Sequence, residues 1–292
     1  MIGSYAVIII FIYLNHLNME DYDELDEYID TLINEELTNL IQGDIGLSTC
    51  QFFKQDGQGG MNPFASGVMV EFGPSRYILT ASHVIEDWSK ASRLFVPVGE
   101  AFVSFNGHAY GTEMDNKNRY DIAYIKLTPE VVTVLRLWYR FIPNHKMLHH
   151  NKSFFEPNYC VFGYPVSNKK KEGEKIKTFG SAYFCLPCQD KVFKYYGLNP
   201  FNHYALEAQG KGVDIKTNKE VKHKTEYYGL SGCGLWYVDL DYKRNKMKSS
   251  AQLIGIMIEF RKGKYQCLIG NRLEIIMATI ERNEGVKIKR TI

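Results

Sequence analysis

The chain has 292 residues, of which 45% are hydrophobic, and its formal net charge at pH 7 is +2. This length and composition predict a packed core in one large domain or in two domains of ordinary size. The small net charge provides no overall basic surface, so we expect no nucleic-acid partner. Six cysteines are too sparse, in a chain of this length, for a disulfide-stabilised scaffold.

The first 18 residues allow two interpretations. Residues 2–14 are apolar, but a membrane-spanning helix needs about 20 such residues. No Lys or Arg precedes the stretch and no small-residue cleavage site follows it, so a signal peptide is disfavoured. We therefore expect an over-extended start before Met19, with a weak membrane anchor as the alternative.

Residues 20–42 are predicted to form an acidic helix. Its apolar residues recur at steps of three and four: Leu25, Ile29, Leu32, Ile33, Leu37 and Leu40. The pair Gly43-Asp44 is typical of a helix end, which gives an N-terminal extension over residues 1–44. The apolar stripe either packs against the rest of the chain or receives a regulatory protein partner while its carboxylates stay in water.

Short β-rich runs follow from Leu47 onward, separated by Gly, Pro, Asn and Ser. They are GVMVEF, YILTASHVI, LFVPV, AFVSF, YDIAYIKL, NYCVFGYPV, KTFGSAYF, HYALEAQ, GLWYVDL and AQLIGIMIEF. Many short strands without regular intervening helices predict barrels or a sandwich rather than a parallel doubly wound sheet. Residues 129–138 are predicted to form a short connecting helix, and NRLEIIMATIERNE a terminal helix capped by Asn271.

One serine, Ser231, lies in the glycine-rich segment EYYGLSGCGLWYV. Glycine is used where a backbone turns sharply or is approached closely. The segment is therefore either a tight turn before a buried strand or a loop that exposes a nucleophilic hydroxyl beside backbone N–H groups. No histidine follows Ser231, which excludes the chain order Ser, Asp, His of the α/β-hydrolases.

A serine nucleophile needs a base, and the base needs an orienting carboxylate. His83 follows the strand-like residues 77–81, where a side chain is held rigidly and stays reachable. Asp121 opens the apolar run DIAYIKL. Taken singly, the first could be a histidine with its hydrogen bonds satisfied at a strand end, and the second a turn cap.

Taken in order, TASH at 80–83, DIAYIKL at 121–127 and GLSGCGL at 229–235 resemble the motifs of chymotrypsin/trypsin-like serine peptidases. The segment VFGYP at 161–165 is similar to the start of the second barrel in bacterial, non-zymogen members. The resemblance covers about residues 45–285.

The resemblance implies an all-β fold with two antiparallel six-stranded β-barrels. The first barrel would span about 45–140 and the second about 150–270, with a C-terminal helix at about 271–284. The function implied is a serine endopeptidase, with a protein or peptide as substrate and no metal or organic cofactor. The alternative is a catalytically weak module of the same fold that binds a protein partner.

The resemblance also implies a role for each site residue. Ser231 would be the nucleophile, His83 the general base and Asp121 the carboxylate that orients the histidine. The N–H groups of Gly229 and Ser231 would form the oxyanion hole.

Three departures from the family pattern bear on the site and on the compartment. Cys233 replaces a glycine two residues after Ser231, and we interpret it as a buried packing residue. Leu230 replaces the aspartate that pairs with a new N-terminus in secreted zymogens, so that activation is not expected. No cysteine flanks His83, which together with Leu230 favours a reducing compartment. We therefore expect a cytoplasmic location, with a membrane tether through residues 2–14 as the alternative.

The substrate pocket and the remaining cysteines are less defined by the sequence. By the resemblance, Thr225 falls near the pocket base, Tyr228 beside it, and Phe260 at a wall where glycine would leave room. The sequence does not give the directions of nearby glutamates, so it predicts no cleavage specificity. The pair Cys185 and Cys188 is a single C-x-x-C; we expect ordinary thiols, because a zinc site needs about four ligands.

Overall fold

The computed structural model of the protein describes residues 7–10, 23–89, 94–105, 108–112, 120–147, 159–172, 175–208, 211–214, 219–222, 227–243 and 246–289. Its helices are α1 (Asp23–Leu40), α2 (Gly46–Ser48), α3 (Ser82–Ser89), α4 (Pro129–Leu135), α5 (Asp190–Tyr196) and α6 (Leu273–Glu284). A π-helical turn, Ile41–Ile45, joins α1 to α2, and 3₁₀ turns lie at Asn144–Lys146 and Val166–Asn168.

The strands are, in chain order, β1 (Val7–Ile10), β2 (Thr49–Gln55), β3 (Met61–Phe72), β4 (Ser75–Thr80), β5 (Leu94–Val98), β6 (Ala101–Ser104), β7 (Ala109–Gly111), β8 (Ala123–Lys126), β9 (Ile142–Pro143), β10 (Tyr159–Gly163), β11 (Lys170–Glu172), β12 (Lys175–Lys177), β13 (Ser181–Cys185), β14 (His203–Glu207), β15 (Lys211–Asp214), β16 (Lys219–Lys222), β17 (Gly234–Lys243), β18 (Lys246–Arg261) and β19 (Cys267–Arg272).

Two large sheets hold most of these strands. The first has the order β6-β5-β2-β3-β4-β8-β7, with β9 beside β3, and the second has the order β14-β19-β18-β17-β10-β13-β1-β15-β16. Pairing is antiparallel except between β1 and β13 and between β3 and β9. The predicted all-β architecture with two antiparallel sheets is confirmed. The sheets contain eight and nine strands rather than six because short strands extend their edges.

The largest buried cluster lies between the two sheets. It combines Val68 and Leu79 of the first sheet with Trp236 and Leu253 of the second, and α6 adds Ile276. The same contacts therefore remove side chains of both sheets from water. This shared burial is the main apolar stabilisation available to a two-sheet fold. A consequence is that residues at the ends of strands from different sheets are held at fixed positions relative to one another.

The C-terminal part of helix α1 and the turn after it pack on this core. Leu37 and Ile41 are fully buried in the core cluster, and the hydroxyl of Ser249 in β18 donates to the backbone oxygen of Glu36 at 3.3 Å. The structure therefore shows the packing alternative for this part of the helix. The predicted helix end at Gly43-Asp44 is wrong: both residues lie inside the π-helical turn.

The Asp44 carboxylate makes two charged contacts from this turn. It is hydrogen-bonded to Arg140 and Lys146, so the turn is tied to the chain that follows α4. Partial burial raises the pKa of Asp44, but the neighbouring Lys146 and Arg140 lower it more, and the net pKa lies below its usual value.

Two further sequence expectations concern the chain ends. Part of the apolar stretch 2–14 forms β1, which pairs with β13 and β15; within the described ranges no helix is long and apolar enough to cross a membrane. Asn271 does not cap α6, because it is still paired within β19 and Arg272 takes the N-cap position. The boundaries proposed between the extension and the two barrels stay a prediction.

Candidate active site

The register of the first sheet brings His83 to Asp121. Strands β4 and β8 are antiparallel, and Thr80 at the end of β4 pairs with Ala123 at the start of β8. The chain that leaves β4 therefore meets the chain that enters β8. His83 lies in the first turn of α3, three residues after the paired threonine, and Asp121 lies two residues before the paired alanine.

Two hydrogen bonds join these residues. The Nδ1 atom of His83 is 2.6 Å from Oδ2 of Asp121, and the backbone N–H of His83 donates to Oδ1 at 2.9 Å. The aspartate side chain is 15% exposed and the histidine side chain 40% exposed. Because a carboxylate only accepts hydrogen bonds, it selects the tautomer with the proton on Nδ1 and leaves Nε2 as the ring acceptor.

Asn271 of the second sheet holds the backbone of Asp121. Its side-chain oxygen accepts the Asp121 N–H at 2.9 Å, and the asparagine is fully buried. Its Nδ2 is buried and has no hydrogen-bond partner among the described residues. Beside it, the ring of Tyr120 stacks on that of His203, which pairs with Asn271 across β14 and β19. The second sheet thus holds Asp121 in position, and Asp121 in turn orients the ring of His83.

Ser66 of the first sheet holds the loop that carries Ser231. The hydroxyl of Ser66 donates to the backbone oxygen of Gly229 at 2.8 Å and accepts the N–H of Tyr164 at 3.1 Å. The N–H of Ser66 donates to the backbone oxygen of Ser231 at 2.9 Å. Ser66 is fully buried, so water does not compete for these bonds.

Gly232 allows the loop to approach β4 closely. Its φ is +86°, and a Cβ at this position would lie 2.1 Å from Oγ1 of Thr80 and 2.2 Å from the backbone oxygen of Ser66. Any other residue would collide with both. The Ser231 loop is therefore pressed against the end of β4, three residues before His83, and the N–H of Gly232 also donates to Met257 of β18 at 2.7 Å.

The backbone of the loop leaves two N–H groups with a defined direction. The oxygen of Tyr228 accepts from the N–H of Val166 at 2.9 Å, and the oxygen of Leu230 accepts from the N–H of Cys233 at 2.9 Å. In a trans peptide the N–H points away from the carbonyl. The N–H groups of Gly229 and Ser231 therefore point away from these partners, and no backbone hydrogen bond occupies either group within the described part of the chain.

Cys233 and Leu230 pack beneath the loop. Cys233 is fully buried and Leu230 is 3% exposed, and both belong to one apolar cluster with Tyr183 and Leu268. Burial raises the pKa of the Cys233 thiol, which keeps it protonated. These positions agree with the interpretation of Cys233 as a packing residue.

The predicted pocket residues differ in exposure and in their contacts. Tyr228 is 65% exposed at the loop. Phe260 is half-buried, and its ring centroid lies 4.4 Å from that of Tyr227. Thr225 lies outside the described residues. Glu259 is paired with Arg261 at 2.8 Å, so its charge is offset.

The pair Cys185 and Cys188 is not bridged in the structure. Cys185 is buried and its thiol pKa is raised by burial to about 12. Cys188 is half-buried next to Cys267.

The sequence did not identify Ser66 as a residue of the site, and it suggested Asn271 only as a helix cap. Thr80 is part of the TASH motif, but the motif did not predict that its hydroxyl donates to the backbone oxygen of Ser66 at 2.9 Å. Ser66 carries no local signal, because it is an ordinary strand residue whose partners lie 98 and 163 positions away.

No protein-family profile and no curated protein match the chain. A similar solved structure is that of a thermostable serine protease, AL20, from an extremophilic microorganism. The two chains share 10% sequence identity, the match covers 77% of this chain and 91% of that chain, and the TM-score is 0.41. A likeness this remote carries no conclusion about activity, so the function is argued below from the geometry of the site.

Proposed function

We propose that the protein is a serine endopeptidase that hydrolyses peptide bonds of protein substrates, with Ser231 as nucleophile, His83 as base and Asp121 as orienting carboxylate. The observation that carries the proposal is the paired contact of Asp121 with both the ring and the backbone of His83. This contact lies where a glycine-bounded serine loop is pressed against the same strand end. A structural role for His83 alone needs neither the serine nor the oriented loop.

The proton path follows from the tautomer. With the Nδ1 proton held by Asp121, the Nε2 atom of His83 accepts the proton of the Ser231 hydroxyl as the oxygen attacks the scissile carbonyl. The same nitrogen then returns the proton to the leaving amine. Asp121 stabilises the imidazolium between these steps and stays ionised.

The oxyanion that forms on the carbonyl needs donors that are already in place. The N–H groups of Gly229 and Ser231 are the donors we propose, because the carbonyl ends of both peptide units are tied elsewhere. Fixed donors stabilise developing charge without reorganising during the reaction, and loss of one such donor costs about 10² to 10³ in kcat.

The test is cleavage of a complex protein mixture by the wild-type chain and by Ser231→Ala. New N-termini are identified by mass spectrometry, and one cleaved sequence is then used as a peptide for kinetics. We expect Ser231→Ala to lower kcat by about 10⁴ to 10⁶, since the nucleophile is lost. Ser250→Ala is the matched control, because Ser250 is an exposed serine on β18. This variant should cleave like the wild type.

Equal cleavage by Ser231→Ala and the wild type would remove Ser231 from the nucleophile role. A folded wild-type chain that cleaves nothing, yet retains a peptide or protein ligand, would instead support the alternative of a catalytically weak binding module.

A further inference from the structure

Among the described residues, one edge of β18 has no partner strand beyond Met257, beside the Ser231 loop. Strand β17 begins at Gly234, which pairs with Ile256. The last described contacts on this side are both made by Met257: its N–H donates to the oxygen of Cys233, and its oxygen accepts the N–H of Gly232. From Ile258 onward β18 pairs with β19 on its other side only, among the described residues. An extended peptide has backbone groups that fit such an edge.

The unpaired edge limits where a substrate chain can lie. The N–H of Gly232 is bonded to Met257, so the nucleophile loop sits at the end of the paired stretch. A peptide that adds to this edge with its scissile carbonyl at Ser231 would run beside Ile258 and Phe260, at the usual strand spacing of about 4.8 Å. The side chain on the acyl side of the scissile bond would then point to the space between β18 and the turn at Tyr227.

Aromatic rings already fill that space. The centroids of Tyr227 and Phe260 are 4.4 Å apart with a tilt of 46°, which is van der Waals contact. Tyr183 lies behind Tyr227 with a centroid distance of 5.5 Å. Both Tyr227 and Phe260 pack on the buried cluster that contains Leu230 and Cys233, so displacing either ring loses apolar contacts with that cluster.

We infer that Tyr227 and Phe260 determine specificity: they restrict the residue on the acyl side of the scissile bond to a small one, such as glycine, alanine or serine. The inference rests on the proposed peptidase function and adds its substrate class. A larger side chain would have to displace a ring from a packed apolar cluster, and close packing makes such displacement unfavourable.

The test uses aminoalkyl phosphonate diphenyl esters, which attach covalently to a serine nucleophile and differ only in the acyl-side side chain. Second-order labelling rates of Ser231 are measured for the alanine, phenylalanine and lysine analogues. We expect the wild type to react at least about tenfold faster with the alanine analogue, as for other pockets that exclude bulk. Phe260→Gly should raise the ratio of the phenylalanine rate to the alanine rate at least about tenfold, because the ring that restricts the acyl-side residue is removed.

Two further variants guard against a change in folding. Phe260→Ala should show the same shift to a smaller degree, and Phe201→Ala removes an aromatic ring that is 77% exposed and should change nothing. Thermal melting of each variant identifies loss of structure.

The outcomes separate the inference from the proposed function. Equal wild-type rates for the alanine and phenylalanine analogues would overturn the inference and leave the function intact. So would a folded Phe260→Gly whose preference is unchanged. Failure of Ser231 to react with every analogue, and with a simple alkyl fluorophosphonate that carries no amino-acid side chain, would overturn the proposed function and the inference together.

Discussion

The two halves of the candidate site are held in opposite ways. The proposed acid–base pair, His83 and Asp121, lies at the ends of strands of the first sheet, yet the backbone of Asp121 is held by Asn271 from β19 of the second sheet. The serine loop belongs to the second sheet, yet it is fixed by Ser66 from β3 of the first. Each half of the site is therefore anchored by a fully buried side chain from the sheet on the opposite side, Asn271 in one case and Ser66 in the other.

This exchange of anchors means that the site geometry depends on how the sheets pack. A hydrogen bond to a buried group is expensive to lose, because the partner stays without water. Neither half holds its own residues by local contacts alone. We therefore expect substitutions at the anchors to alter catalysis, even though neither side chain is proposed to touch the substrate.

Among variants that keep Ser231, the largest effect should come from within the acid–base half. Asp121→Asn should lower kcat by about 10⁴ with little change in melting temperature, because the amide no longer selects the Nδ1 proton of His83. Steady-state kinetics on a cleaved peptide measure the loss. Asp239→Asn, an exposed aspartate on β17, is the matched control and should behave as the wild type. Full activity of Asp121→Asn would take the aspartate out of the mechanism.

Breaking the anchor of the serine loop should come next. Ser66→Ala leaves the oxygen of Gly229 and the N–H of Tyr164 without their partner. Each lost partner costs about 1–3 kcal/mol, so we expect kcat to fall about 10- to 100-fold, with a smaller change in KM.

Ser48→Ala supplies the control for stability. Ser48 is also fully buried, and its hydroxyl donates to the oxygens of Asp44 and Ile45, away from the site. If both variants lose a similar amount of melting temperature and only Ser66→Ala loses kcat, the positioning role of Ser66 is supported. An equal fall in kcat for both variants would mean that Ser66 acts through stability alone.

The anchor of the acid–base half should have the smaller effect on catalysis. Asn271→Leu keeps the branched shape of the side chain but has no oxygen to accept the N–H of Asp121. We expect its kcat to be about tenfold below that of the wild type, with KM nearly equal. Indistinguishable kcat values would show that the hydrogen bond to Asp121 has no positioning role.

A contact outside both halves should affect stability and leave kcat unchanged. Asp44 binds Arg140 and Lys146, and its pKa lies below the usual value of 3.8. A lowered pKa contributes stability above the unfolded-state pKa, and that stability is lost as pH falls through the folded-state value. Asp44→Asn should therefore unfold about 1 kcal/mol more easily at pH 7.

The pH dependence is the sharper part of this prediction. Chemical denaturation from pH 7 to pH 3 should show the difference between Asp44→Asn and the wild type shrinking below about pH 4. A difference that stays constant down to pH 3 would contradict an electrostatic origin.

The sequence was most informative where function depends on neighbours in the chain. Many short strands without regular intervening helices predicted barrels or a sandwich, and the resemblance implied two antiparallel units. Short motifs around His83, Asp121 and Ser231 identified the candidate residues before any contact was known. Helix α5 was missed because its seven residues are too few to establish a periodicity.

What the sequence did not show depends on distant partners. Ser66 and Gly229 are 163 positions apart, and Asp121 and Asn271 are 150 apart, so neither anchor has a local pattern. Asn271 was predicted to cap α6 because asparagine is common at the N-cap position. In the structure it is still paired within β19, one residue before the N-cap. The contact of Tyr227 with Phe260 likewise appears only once β18 passes the serine loop.

The central claim is that His83 and Asp121 activate Ser231. Its most direct test is reaction of the wild-type chain with an alkyl fluorophosphonate, followed by intact-mass measurement and peptide mapping. We predict a single adduct on Ser231 that forms much more slowly in His83→Ala. No adduct on the folded chain, an adduct on another residue, or equal labelling of His83→Ala would contradict the claim.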